Sequence, residues 1–367
     1  MSNTERISFD DLKRDVIDRG ICDMCRGCVS FCSADSLHAL TIKDNKPAYL
    51  NEEACLKCGI CYMICPNTED LEDTLKNKYD FQLPIGRHLA IESLRTKNPE
   101  LRQVCTDGGV VTSLLHYLLD IGYIHGAVVS RKVGLWNNQP MVATSFQDLM
   151  EGAGSSMSLS STVENLSDIT TYVPTMLAIR SLRASDMTRV AFVGTPCQIK
   201  TLRKMQLLRI VPAHIVRITI GLFCYENFNF TLEGRKNLEE KMGTSLDSVR
   251  KINIKDDFIV KLDDGSSVHL DLDELGDLVR PECIPCTDFS CYTADISVGG
   301  IGSPDGYTTT MIRNQQAKEL VEEAIANEYL ERNIDIREDS LVASVEKMAW
   351  RKYNRGIEKL KQLGVAI

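Results

Sequence analysis

No run of eighteen or more apolar residues occurs in the sequence, so no membrane-crossing helix is expected. The opening MSNTERISFDDLKRDVIDRG is charged and amphipathic and lacks the apolar core of a secretion signal. A cytoplasmic protein is expected. Aromatic residues are sparse, at 6 %, which argues against a stacking platform for bases. Excess positive charge is also missing: a net charge of −9 disfavours non-specific binding to nucleic acid. The six histidines form no constellation that suggests a site of their own.

The chain does have length, 367 residues, enough for two or three domains, and it has fourteen cysteines. In a reducing compartment clustered cysteines point to metal rather than to disulfides. Two runs stand out. CDMCRGCVSFC holds Cys22, Cys25, Cys28 and Cys32; CLKCGICYMICP holds Cys55, Cys58, Cys61 and Cys65, followed by Pro66. Both have the spacing C-x2-C-x2-C-x3-C. Three thiolates so spaced wrap one face of an iron–sulfur cube, and the fourth reaches the other cube. Cys22, Cys25, Cys28 and Cys65 are therefore assigned to one 4Fe–4S cluster, and Cys55, Cys58, Cys61 and Cys32 to a second. Two zinc sites are the alternative, but zinc usually takes separated C-x2-C pairs. Between the runs, ALTIKDNKPAYLN reads as a hairpin turning at Asp44-Asn45. Residues 1–85 are thus expected to form a two-cluster, ferredoxin-like domain.

From about Leu89 strands and helices alternate. GAVVSR, RVAFVG, HIVRITIGLFC and ADISVGG read as buried strands, which predicts an α/β domain over 86–314 with a largely parallel sheet. A small antiparallel insertion is expected at about 245–279, its last two strands joined at Asp264-Gly265. Residues 315–367 read as a helical tail that packs on the domain's surface, with partner docking as the second choice.

In such sheets ligands bind beyond the carboxyl ends of the strands. Three features fall there. In CTDGGVVTSLL, Thr106 or Asp107 is expected to cap a helix, and Gly108-Gly109 would let an anion such as a pyrophosphate approach Val110 at the helix start. A glycine pair before a helix is as often only a turn. In GTPCQ, Thr195 and Gln198 suit a capping box, Pro196 the first helical turn, and the helix dipole would favour a Cys197 thiolate. In GLFCYENF, Cys224 ends a strand. Either cysteine alone reads equally as a buried structural residue. Together with Cys283 and Cys286 they make four thiolates, enough for a third 4Fe–4S cluster. Zinc on the same four is the main alternative, and Cys291 could replace one of them. Cys105 is left over.

The chain resembles the coenzyme F420 hydrogenase/dehydrogenase β-subunit family. The likeness rests on DGGVVTSLL, GSSMSLSS, GTPCQIKTLR, GLFCYENF, RPECIPCTDF and ADISVGGIGSPDGYTTTMIR, in that order. It implies FAD at the strand ends, coenzyme F420 as substrate stacked against it, and a cluster nearby. By that likeness residues Thr106 to Val110 would cradle FAD, Ser155 and Ser156 would add hydroxyl contacts, and Thr195 would lie near the flavin. Lys200, Arg203, Lys204 and Arg209 could hold the acidic tail of F420, although each also reads as part of a solvated helix face. Glu226 and His125 are the candidates for handling a proton.

The implied function is hydride exchange between F420 and FAD, with single electrons passing through the clusters to or from a partner redox complex. The implied partners are of the hydrogenase, formate dehydrogenase, heterodisulfide reductase or membrane dehydrogenase type. Two rivals stand beside it: a ferredoxin-dependent reductase of an organic, tetrapyrrole-type substrate, and a pure electron relay.

Overall fold

The computed structural model describes residues 7–34, 37–134, 137–154, 158–159, 169–170, 175–230, 232–255 and 257–365. Its N-terminal part is built twice, once on each cysteine run. The first leads into α1 (Gly27–Ala34), which carries Cys28 and Cys32 one turn apart. A hairpin then pairs β1 (Leu40–Lys43) with β2 (Lys46–Tyr49). Asp44 and Asn45 both take positive φ, 50° and 59°, as the tight hairpin turn requires. The second run leads into α2 (Ile60–Met63). In each run left-handed residues flank the second cysteine: Met24 and Arg26 around Cys25, Lys57 and Gly59 around Cys58. Backbone that alternates hand in this way curls its N–H groups towards one centre, a concavity typical of anion and iron–sulfur sites.

The larger part opens with β3 (Ala90–Thr96), β4 (Gly126–Gly134), β5 (Asn137–Ala143), β6 (Val190–Gly194) and β7 (Val216–Leu222). A separate antiparallel sheet follows, β8 (Val249–Ile254), β9 (Phe258–Leu262) and β10 (Ser267–Leu270). The chain then returns with β11 (Ile296–Gly299), β12 (Thr308–Ile312) and β13 (Leu330–Arg332). The main sheet has the order β13-β3-β12-β11-β7-β6-β4-β5. Strands β11, β7, β6 and β4 run parallel; both flanks are antiparallel. The expected largely parallel sheet is corrected to a mixed one. The reason is loop length: β5 follows β4, and β12 follows β11, over connections too short for the crossover that a parallel return needs.

Helices α3 (Val110–Asp120), α4 (Pro196–Leu207), α5 (Gln315–Ala326) and α6 (Glu338–Gln362) cover the sheet. The α3 and α5 helices bury Leu114, Leu118, Leu320 and Val321 with Ile218, Ile220 and Ile296 on one face. On the other, α4 buries Ile199 and Leu202 with Phe192 and with Ile64 of the first domain, while α6 packs Leu341, Val345 and Met348 with Ile91 and Met311. Strand β6 is buried throughout, as expected for a strand covered on both sides. The C-terminal segment is therefore more than a surface tail: β13 extends the sheet and α6 supplies core. The small sheet shares its core with Leu238 and Met242 of the preceding helix, so the insertion begins ahead of residue 245.

Helix α4 is the platform for the first domain. Lys204 Nζ donates to the carbonyls of Cys65 (2.6 Å) and Thr68 (3.0 Å). Gly27 sits so close that a Cβ there would lie 2.3 Å from Thr201 Cγ2. The other cations of α4 are also committed to structure. Lys200 pairs with Glu72 at 2.6 Å. Arg203 is buried and donates to Asp295 (2.8 Å), Thr219 Oγ1 (2.9 Å) and the Thr293 carbonyl (2.9 Å). The expectation that Lys200 and Arg203 hold an acidic tail is corrected, since both are already neutralised and neither lines the large cavity described below. Arg203→Ala should therefore lose about 3–5 kcal/mol of stability in urea denaturation, because Asp295 is left without its partner. A loss under ~1 kcal/mol would contradict this role.

Candidate cofactor and cluster site

A cavity of about 270 Å³ opens at the carboxyl ends of the parallel strands. Its walls include Val129 and Ser130 of β4, Val193 and Gly194 of β6, Leu222 and Phe223 at the end of β7, and Val298 to Gly300 at the end of β11. The size is close to the lower bound of ordinary small-molecule sites, about 300 Å³.

Thr106, Asp107, Gly109 and Val110 line it at the start of α3. The N-cap is Gly109, at φ 69°, rather than Thr106 or Asp107, and no side chain caps the helix. Asp107 is drawn elsewhere: its carboxylate accepts from Asn253 Nδ2 at 2.8 Å and lies 3.7 Å from Lys255 Nζ. Burial pushes its pKa up, and the Lys255 charge acts against that. Strand β8 thus forms part of the wall through Ile252 to Ile254, with Lys255 just beyond it, which the sequence reading missed. Gly108 is not among the lining residues; its N–H donates to Thr308 Oγ1 at 2.8 Å, and a Cβ would meet the Leu94 carbonyl oxygen at 2.4 Å. Thr195 lines the cavity with its hydroxyl 3.3 Å from Cys197 Sγ. The expected capping box does not form, because Thr195 makes no side-chain cap and Gln198 Oε1 accepts from Thr175. Ser155 and Ser156 lie outside the described residues.

A second cavity, about 60 Å³, adjoins the first and is bordered by Cys197, Cys224, Cys283 and Cys286. They come from the start of α4, the segment after β7, and the turn at Pro281–Cys283 with the loop beyond it. Burial pushes the Cys224 thiol up to about 12 and raises the other three. Burial, with Asp23 and Cys25 nearby, raises the Cys197 thiol above its ordinary value. Arg280 and Lys352 border the same cavity, and neither was anticipated. Lys352 was concealed in an amphipathic helix, where a lysine ordinarily faces water. Cys291 lies apart, fully buried with its Sγ against Gly221. Cys105 sits in the wall of the large cavity, Sγ donating to the Asp107 carbonyl at 3.2 Å.

A third, small cavity is bordered by Cys22, Cys25, Cys28 and Cys65, three sulfurs from one run and the last from the other. Cys32, Cys55, Cys58 and Cys61 make a further group close enough for each other's charge to be felt. Among the described residues no three His, Cys, Asp or Glu side chains converge tightly enough for a single metal ion.

Neighbouring spaces share walls. The first two cavities share Thr195, Gln198 and Glu226; the second and third share Asp23, Cys25 and Arg26. Cys61 of the last group acts electrostatically on Cys28. Cys58 is the one exposed cysteine of the fourteen. Glu226 is 5 % exposed and pairs with Arg355 at 2.5 Å; burial pushes its acid up and Arg355 acts against that. His125 stands apart, its Nε2 2.9 Å from Arg189 at an exposed position.

Family models match in three blocks: a 4Fe–4S dicluster domain over 14–73, and the N-terminal and C-terminal parts of the coenzyme F420 hydrogenase/dehydrogenase beta subunit over 93–167 and 187–335. The beta subunit of coenzyme F420 hydrogenase from Methanosarcina barkeri is 30 % identical over 291 residues, covering 77 % of this chain and 95 % of the relative. This chain belongs to the coenzyme F420 hydrogenase/dehydrogenase beta-subunit family. A chain in the F420-reducing NiFe hydrogenase complex of the same organism superposes with a TM-score of 0.66 at 28 % identity, covering 77 % of this chain and 94 % of the other. A coenzyme F420-dependent sulfite reductase from Methanocaldococcus jannaschii is 28 % identical over 359 residues, which is 93 % of this chain but only 50 % of that enzyme. The chain thus spans half the length of that relative. Family membership and the dicluster domain support iron–sulfur clusters and a link to F420.

Gly108→Ala should displace β3 at Leu94 or the start of β12, since its Cβ would meet the backbone of Leu94 on one side and of Tyr307 and Thr308 on the other. A lower Tm is the expected outcome, read by calorimetry. A variant with unchanged Tm would show that the backbone there is not tightly packed.

Proposed function

We propose that the chain is an F420-dependent oxidoreductase subunit that exchanges a hydride between coenzyme F420 and FAD and passes single electrons through three 4Fe–4S clusters to or from a partner redox complex. The observation that carries this reading is the series of shared walls from the large cavity through the two sulfur-lined cavities, with Cys61 of the group holding exposed Cys58 near enough for its charge to reach Cys28. Bound flavin supplies the conversion between a two-electron hydride and single electrons. The chain's own contribution is placement. Thr106, Asp107, Gly109 and Val110 would form the flavin's phosphate end, where the uncapped start of α3 suits an anion. Gly108 would set their position, and Ser155 and Ser156 stay as proposed hydroxyl contacts. Thr195 would stand between flavin and cluster. Cys22, Cys25, Cys28 and Cys65 would hold one cluster, Cys32, Cys55, Cys58 and Cys61 another, and Cys197, Cys224, Cys283 and Cys286 the third. Glu226, on the wall shared by the first two cavities, would hold or release the proton that accompanies transfer.

F420H2 oxidation and F420 reduction are both open to this arrangement, with a hydrogenase, formate dehydrogenase, heterodisulfide reductase or membrane dehydrogenase type of partner taking or supplying the electrons. Under this reading residues 1–85 form the electron-carrying unit and 86–314 the hydride-handling one.

Anoxically purified protein should carry FAD and about twelve irons, from three four-iron clusters. Reduced F420 with an artificial one-electron acceptor should regain its absorbance as it is oxidised. Cys283→Ser should lose about four irons and Cys291→Ser none. Glu226→Gln should slow turnover about 10²-fold with iron and flavin retained. No response to F420, but turnover with ferredoxin and an organic substrate, would replace this reading with the reductase; absence of flavin would leave an electron relay.

A further inference from the structure

Lys352 is a buried cation with no carboxylate in ion-pair contact. It is 1 % exposed, on helix α6, and borders the cavity of Cys197, Cys224, Cys283 and Cys286. Its Nζ donates to two backbone carbonyls, those of Cys224 (2.6 Å) and Asp288 (2.9 Å). Among the described residues no carboxylate stands within ion-pair distance of it. Taking an ammonium out of water costs several kcal/mol unless opposite charge compensates. The other charged groups at this cavity are Arg26, Arg280, Asp23 and Glu226, the last already paired with Arg355, and the buried Asp288 carboxyl feels the Lys352 charge from beyond ion-pair distance. The opposite charge that remains in quantity is the sulfur of the four cysteines. Helix α6 lies beyond residue 335, where the match to the C-terminal family model stops.

We propose that Lys352 is a positioning residue for the third cluster: it fixes the backbone on either side of the cavity and makes the cluster easier to reduce. The inference rests on the third cluster of the proposed function. The physical argument is charge balance. Each added electron makes a thiolate-ligated cluster more negative, and a fixed positive charge in a poorly solvated site favours the more negative state. The two hydrogen bonds hold the ammonium in place, so the effect cannot be lost by a swing of the side chain. They also tie the segment carrying Cys224 to the loop that follows Cys286.

The test is an EPR-monitored redox titration of the full chain, with iron counted in each preparation. The signal of the third cluster is the one lost in Cys283→Ser. Lys352→Met should keep its iron and make that cluster at least about tenfold harder to reduce at a fixed ambient potential, ~59 mV for a one-electron couple, with the other two clusters unmoved. The exposed Lys347→Met, on the same helix, should shift none of them. If Lys352→Met keeps its iron and no potential moves, the proposal is overturned. Should that variant lose iron, Lys352→Arg decides: restored iron with an unshifted potential supports a role for the charge, whereas loss in this variant too overturns the proposal and leaves a packing role. Wild-type protein with only about eight irons would refute the third cluster itself, and this inference with it.

Discussion

Buried sulfur is the constraint around which this protein is organised. Twelve of its cysteines are gathered into three groups, each crowded enough for one thiol to feel another's charge. Burial works against ionisation at Cys22, Cys61 and Cys224, pushing each thiol up to about 12. Neighbouring sulfurs push the same way. Left alone such groups would stay protonated at neutral pH, and a set of four thiolates would be held apart by repulsion. A cationic iron core reverses the balance, because it supplies the positive charge that solvent cannot. The backbone agrees with the side chains: left-handed residues around Cys25 and Cys58 curl the loops into concavities suited to an anionic guest.

Helix α4 translates that local chemistry into a route. Its first turn places Cys197 on one sulfur-lined cavity. Its middle meets the first domain, with Thr201 Oγ1 3.4 Å from Cys25 Sγ, and its far part anchors the Cys65 carbonyl through Lys204. A single rigid element thus touches two sulfur groups at once, and the spacing between them is set by helix geometry rather than by a loop. Burial costs Lys204 much of its affinity for a proton, pulling its pKa down to about 8. Its contacts with two carbonyls hold the first domain in place all the same.

Much of this was legible in the sequence because it rests on short-range rules. The C-x2-C-x2-C-x3-C spacing groups Cys65 with the first run, and Cys65 does border the cavity of Cys22, Cys25 and Cys28. Asp44-Asn45 turns as its residue types require. The four distant cysteines could be counted into one group because strand ends of an α/β sheet converge. What stayed hidden depends on tertiary partners. Lys200 and Arg203 looked like free cations on a helix, but their acids, Glu72 and Asp295, lie far away in the chain. Asp107 looked like a helix cap until β8 supplied Asn253. Lys352 looked like the wet face of an amphipathic helix, and no periodicity marks the one lysine that faces inward.

The mixed sheet explains why these pieces meet. Four parallel strands in the middle end at one level, and a cavity forms where they stop. The antiparallel flanks bring the starts of β5 and β12 to the same level, where Asn138 and Thr308 add to the cavity wall. Helix α6 packs across β3 and β12 on such a flank, with Met348 in the wall of the large cavity and Lys352 in that of the sulfur-lined one. The same helix thereby bounds both chambers. Their relative position is thus set by one helix rather than by a loop.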